Sequence, residues 1–183
     1  QDSRYAAGFC VTLAAPDFDG DGYDDLVSSA QRATVTYRGG PGGVSASSEQ
    51  VVEPLDANAQ TSVTWGFYLA NAGDLDGDGF EDVLVGDWAW LDASLGSRDT
   101  PGAVFLYSGS AGGLDGCSEV RVDSPVTTYD GWDDNHLAFG FELAGDGDLN
   151  GDGYADFAAA CGYCGIPECP GCSMAFVWDG GTP

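Results

Sequence analysis

The 183 residues suffice for one domain with a real core or for several stacked repeat units, and a 43% hydrophobic share with five Trp, eight Tyr and nine Phe excludes a disordered acidic tail. The net charge of −25 sets 30 acids against five arginines and no lysine, which excludes nucleic acid as a partner and removes any lysine Schiff base or P-loop lysine. No apolar run approaches the ~20 residues of a membrane helix, and no basic-then-apolar leader opens the chain, so it reads as a mature or excised piece without membrane insertion.

Glycines and Asp-Gly pairs punctuate the sequence every few residues. The runs between them are short and rich in Val, Phe, Tyr, Trp and Thr, while sustained helical periodicity is absent. This predicts an all-β fold of short strands and tight turns. In chain order, a first strand over Ala7–Val11 leads to the loop Asp17-Phe18-Asp19-Gly20-Asp21-Gly22-Tyr23-Asp24-Asp25. Strands over Leu26–Ser28, Ala33–Tyr37 and Gln50–Pro54 follow. The same succession returns as Trp65–Ala70, the loop Asp74–Asp82, Val83–Gly86, Ala103–Tyr107 and Glu119–Asp123. It begins a third time with Phe139–Ala144, the loop Asp148–Asp156, Phe157–Ala160 and Met174–Trp178, and stops at Gly180-Gly181 before a fourth strand.

Four antiparallel strands per unit, repeated at this length, describe propeller blades. The expectation is a single repeat domain over 1–183, with blades at about 5–55, 62–125 and 136–181, the last lacking its fourth strand. An open blade edge exposes unpaired backbone groups. Missing sequence, a protein partner or a second copy joined edge to edge into a ring or filament would complete it.

The loops carry the chemistry. Positions one, three, five and nine supply Asp17, Asp19, Asp21 and Asp25 in the first, Asp74, Asp76, Asp78 and Asp82 in the second, and Asp148, Asn150, Asp152 and Asp156 in the third. Turn chemistry alone accounts for one Asp-Gly loop, but not for three in register with a fourth carboxylate at the same offset. Clustered carboxylates call for a hard cation with oxygen ligands, calcium before magnesium, and the seventh-position carbonyls of Tyr23, Phe80 and Tyr154 complete each set. Three such ions would bring the charge from −25 to −19. Asn150 removes one charge, which predicts the weakest affinity at the third site. These are not EF-hands: position twelve is Ser28, Val85 and Ala159, none of which gives a bidentate carboxylate.

Six cysteines and calcium-type loops favour an oxidising compartment outside the cytosol. Cys161-x-x-Cys164 and Cys169-x-x-Cys172 could supply four thiolates to zinc or an iron–sulfur cluster, but the compartment favours disulfides, with nested pairs 161–172 and 164–169 as the first expectation. Cys10 and Cys117 either bridge or stay free. His136, the one histidine, reads as a surface-loop residue, and no nucleophile elbow or phosphate loop accompanies it. Carboxylates committed to calcium are poor candidates for proton transfer, so no enzyme is expected; the alternative is a fragment of a larger propeller that binds a ligand or carries a hydrolase or lyase activity. Trp65, Phe67, Phe105, Tyr107, Phe139, Phe141, Phe157, Phe176 and Trp178 recur at equivalent strand positions and are expected between blades, whereas Trp88, Trp90 and Trp132 fall in loops, where contact anchors are found.

The string Phe-Gly, Leu-Ala, Gly-Asp-Leu-Asp-Gly-Asp-Gly-x-x-Asp-x-x-Val-Gly resembles the FG-GAP repeat of integrin alpha-subunit propellers and their bacterial relatives. Phe139-Gly140 matches the name-giving dipeptide, Trp65-Gly66 varies it, and Ala7-Gly8 is a weak version. The Gly-Ala-Pro element has degraded to Gly86-Asp87-Trp88 and Ala159-Ala160-Cys161, and such propellers usually close with about seven blades. The resemblance implies a calcium-stabilised propeller segment, extracellular or on the cell surface, used for adhesion or ligand display.

Overall fold

Short β-branched and aromatic runs between glycine turns can satisfy their buried backbone groups only by pairing with one another. The computed structural model describes residues 12–30, 32–62, 64–91, 100–126, 136–162, 164 and 173–181. Among them lie eleven strands and two single-turn 3-10 segments, Ala46–Ser48 and Ala59–Thr61. β1 (Leu13–Ala14), β2 (Leu26–Ala30), β3 (Ala33–Tyr37) and β4 (Gln50–Val52) form an antiparallel sheet in sequence order. β5 (Tyr68–Gly73), β6 (Asp82–Asp87), β7 (Thr100–Tyr107) and β8 (Val120–Asp123) repeat that order. β9 (His136–Gly147), β10 (Asp156–Cys161) and β11 (Met174–Trp178) repeat its first three members.

One feature was not expected. The start of β7 runs parallel to β9, pairing Thr100 with His136 and Gly102 with Phe139, so that β5 to β11 become one seven-stranded sheet. A Cβ at Gly102 would lie 2.2 Å from the Phe139 carbonyl oxygen, and only glycine lets the two backbones meet there.

The third strands match the expected residues, except that β7 begins earlier, at Thr100. First strands differ more. Trp65-Gly66 stands in a turn ahead of β5, while Phe139-Gly140 lies inside β9, and Ala7–Val11 falls outside the described residues. The Phe-Gly pair nevertheless has one physical role in both places. Trp65 and Phe139 are fully buried, and Gly66 and Gly140 adopt positive φ, where a Cβ would lie 3.1 Å from the Ala33 oxygen and 2.7 Å from the Ala103 oxygen. The aromatic ring fills the core while the glycine presses against backbone of the preceding group of strands.

Two apolar clusters result. In one, Trp65 meets Phe105 and Tyr107 edge-on, with centroids 6.5 and 6.2 Å apart. In the other, Phe157 stacks on Trp178 at 4.9 Å beside Phe139 and Phe176. Phe67 and Phe141 are only half-buried. Trp90 corrects the reading of loop tryptophans as contact anchors: it is 2% exposed, donates from Nε1 to Asp56, and carries the Arg121 guanidinium 4.5 Å above its ring. Trp88 is half-buried, and Trp132 lies outside the described residues.

The cysteine pairing also differs from the nested expectation. Cys161, at the end of β10, is bonded to Cys164 across a Cα separation of 5.5 Å, within ordinary disulfide reach, so neither 161–172 nor 164–169 forms. The chain turns back directly after β10 and brings the nearer partner into range. Cys117 is free and exposed, while Cys10, Cys169 and Cys172 lie outside the described residues. His136 opens β9 rather than preceding it.

Candidate metal centre

Each aspartate loop links the first two strands of its group, β1 to β2, β5 to β6 and β9 to β10. Its shape follows from short carboxylates capping backbone N–H groups two to five residues ahead. In the second loop Asp74 Oδ1 accepts from Gly77 N at 2.7 Å and Asp78 N at 3.0 Å, and its Oδ2 accepts from Gly79 N at 3.0 Å. Asp76 accepts from Asp78 N and Asp78 from Phe80 N. The first loop repeats most of this scheme: Asp17 accepts from Asp21 N and Gly22 N, Asp19 from Asp21 N, and Asp21 from Tyr23 N. In the third loop Asp148 accepts from Gly151, Asp152 and Gly153, Asn150 Oδ1 from Asp152 N, and Asp152 from Tyr154 N. Glycines at positions four and six, such as Gly77 (φ 77°) and Gly79 (φ 93°), take the left-handed conformation this winding requires.

The winding converges the carboxylates. Asp17, Asp19 and Asp21 each offer an oxygen within 4.8 Å of the others, and so do Asp74, Asp76 and Asp78. Oxygens on opposite sides of one calcium ion at ~2.4 Å stand ~4.8 Å apart, so both groups fit a single ion of that size. Arg38 also approaches the first group, at 3.1 Å from Asp19. The Asp76 carboxyl is held above its ordinary range by burial and then by the neighbouring Asp78 charge. Asp148 is held below it, chiefly by the amide of Gly153.

Position nine has a structural role that spacing did not reveal. Asp25, Asp82 and Asp156 are 2%, 1% and 1% exposed, and the convergent groups comprise positions one, three and five. One oxygen of each accepts from the backbone at position two: Phe18 N at 3.1 Å, Leu75 N at 3.0 Å and Leu149 N at 2.7 Å. The other accepts from a glycine just past the third strand: Gly39 N at 2.7 Å, Gly109 N at 3.1 Å and Gly180 N at 2.8 Å. The ninth carboxylate therefore ties the loop to the strand that packs beside it. Burial pushes the Asp82 carboxyl up to about 7, against the lowering effect of the Gly109 and Leu75 amides, with Asp76 and Asp78 adding repulsion. Burial likewise raises Asp25.

The three glycines were missed because their requirement is steric and tertiary. A Cβ at Gly39, Gly109 or Gly180 would lie 2.2, 2.5 or 2.0 Å from the oxygen of Asp24, Glu81 or Ala155. Gly109→Ala is therefore expected to destabilise the chain by about 2–3 kcal/mol, the scale of forced overpacking, as measured by urea unfolding. A loss below ~0.5 kcal/mol would refute the steric reading.

Comparison with known proteins agrees with this geometry. Residues 17–85 match a family model described as FG-GAP-like repeat. Integrin alpha-4 of Xenopus laevis is 29% identical over 159 residues, which cover 82% of this chain and 14% of that protein. Integrin alpha-7 of Homo sapiens is 30% identical over 158 residues, 84% of this chain and 12% of that protein. Integrin alpha-PS3 of Drosophila melanogaster is 28% identical over 160 residues, 85% of this chain and 13% of that protein. The chain thus spans only 12–14% of the length of these relatives. The aspartate loops, the Phe-Gly packing and the family-model match together identify residues 17–85 as an FG-GAP-like repeat in a chain similar to integrin alpha subunits.

Proposed function

We propose that the chain is a calcium-binding segment of an extracellular FG-GAP propeller that works in adhesion or ligand binding through protein partners, not in catalysis. The observation that carries this reading is the convergence of Asp17, Asp19 and Asp21, and of Asp74, Asp76 and Asp78, to the spacing of one ion's ligand shell. In this reading one calcium ion occupies each loop. The side chains at positions one, three and five bind it, including Asp148, Asn150 and Asp152, together with the carbonyls of Tyr23, Phe80 and Tyr154. Asp25, Asp82 and Asp156 close the shell from behind, since a carboxylate oxygen that accepts one N–H keeps a second lone pair. The ion supplies charge neutralisation and pins the hairpin; the residues supply the winding.

The units are three blades at about 5–55, 62–125 and 136–181, the third open beyond β11, which pairs only with β10 among the described residues. A further strand from a longer chain, a partner or a second copy would complete that edge. Among the described residues, no helix is long and apolar enough to cross a membrane. The integrin relatives support the extracellular placement and the adhesive role.

Equilibrium dialysis against millimolar calcium tests the reading. Three ions per chain are expected, and two for the Asp76→Asn, Asp78→Asn double variant. No uptake at millimolar calcium, or full uptake by the variant, would overturn it.

A further inference from the structure

The contact between consecutive groups of strands follows one rule, and its two complementary halves are left uncovered on opposite groups. Where the second group meets the first, the position-seven ring of Phe80 lies against Gly20, 3.0 Å from where a Cβ would stand. The position-eight amide of Glu81 donates to the Asp17 carbonyl at 3.2 Å, Ser110 N donates to the Phe18 carbonyl at 2.9 Å, and Phe18 is 1% exposed. Where the third group meets the second, the same atoms are used. The Tyr154 ring covers Gly77, Ala155 N donates to the Asp74 carbonyl at 3.1 Å, Gly181 N donates to the Leu75 carbonyl at 2.7 Å, and Leu75 is 6% exposed.

The third loop presents the accepting half with nothing on it. Gly151 has no atom within 4 Å of a notional Cβ, the Asp148 and Leu149 carbonyls receive no bond among the described residues, and Leu149 is 68% exposed. The first group presents the donating half. Tyr23 is 45% exposed, and the amides of Asp24 and Gly40, at the places of Glu81 and Ser110, have no acceptor among the described residues.

We propose that these two faces bind each other between copies, the Tyr23–Asp24–Gly40 face of one chain seating on the Asp148–Leu149–Gly151 face of the next. The contact is heterologous and involves loop faces, not the β11 edge. It deepens the reading of the chain as stacked repeat units and does not depend on the identity of the ion. Burial of Leu149, an aromatic ring over a glycine, and two backbone bonds to otherwise unpaired carbonyls supply the attraction. Because both chains are strongly acidic, the contact strengthens as salt screens their repulsion.

Sedimentation velocity of the full chain in millimolar calcium and moderate salt, from micromolar to about 1 mM protein, tests this. The mass average of wild type is expected to rise above 18.8 kDa with concentration. Leu149→Arg and Tyr23→Ser, both at exposed side chains, should each remain at one chain. Mixed together they should form a two-chain species that grows no further, because each keeps the half the other lacks. Wild type staying at one chain throughout, or the Leu149→Arg variant assembling like wild type through the β11 edge, would overturn the proposal. Calcium uptake measured on the same samples separates failure of this contact from failure of the calcium reading.

Discussion

Withdrawing calcium with a chelator at neutral pH is expected to lower the unfolding temperature of this chain by on the order of 20 °C. Ligand binding to the folded state alone stabilises it by about 2.7 kcal/mol per site at a hundredfold excess over the dissociation constant, so the three proposed sites would contribute about 8 kcal/mol. For a chain of this size each kcal/mol moves the midpoint by about 2–4 °C. The acidity of the loops makes the effect asymmetric. Without an ion, Asp74, Asp76 and Asp78 hold oxygens within 4.8 Å of one another, and among the described residues only backbone amides offset their repulsion. Magnesium at the same concentration should restore little of the loss, because it demands a smaller octahedral shell and gives up water reluctantly. Differential scanning calorimetry with calcium, chelator and magnesium in parallel checks all three arms. A calcium-dependent shift of less than about 2 °C would mean that the loops are held by their own Asx turns and that the ion is incidental.

Strand succession was legible because it depends on local chemistry. Ala33–Tyr37 and Met174–Trp178 are short runs with β-branched and aromatic residues that lead into a glycine turn, and both form strands over those residues. The loops were legible for the same reason, since an aspartate that caps the amide two residues ahead needs nothing beyond its own neighbours. What depended on a distant segment was not. The pairing of β7 with β9 requires two backbones to meet at Gly102 and Phe139, which are 37 positions apart, and no spacing announces it. The cysteine pairing is the local exception: Cys161 had three candidate partners in its segment, and the tight turn after β10 selected Cys164, three residues on. Asp87 read as a degraded remnant of the Gly-Ala-Pro element. In the fold it is fully buried and accepts from the hydroxyls of Ser62 and Thr64, fixing the segment that leads into β5 against the end of β6. Trp90 was misplaced because a tryptophan in an irregular segment looks exposed until Arg121 and Asp56 close over it.

The structural role of position nine makes a sharper prediction than ligand spacing alone. Asp82→Ala should destabilise the chain in chelator as well as in calcium, whereas Asp78→Asn should destabilise it only in calcium. At position 82 the substitution strips Leu75 N and Gly109 N of their acceptor, and each buried amide left without one costs about 1–3 kcal/mol. Part of this is offset, because the same burial that pushes the Asp82 carboxyl up to about 7 also makes its charge costly to keep. The expected net loss in chelator is therefore about 2 kcal/mol, with a further loss of roughly one ion's stabilisation, about 2–3 kcal/mol, in saturating calcium. Asp78 is exposed and caps one local amide. Replacing it by Asn keeps an acceptor and relieves repulsion, so in chelator the variant should match wild type or exceed it slightly. Urea unfolding of both variants under both conditions separates the roles. If Asp82→Ala equals wild type in chelator, position nine is a ligand and nothing more. If it loses the same amount with and without calcium, the carboxylate is only a tie between the loop and Gly109, and the ion is held by positions one, three and five with the carbonyl at seven.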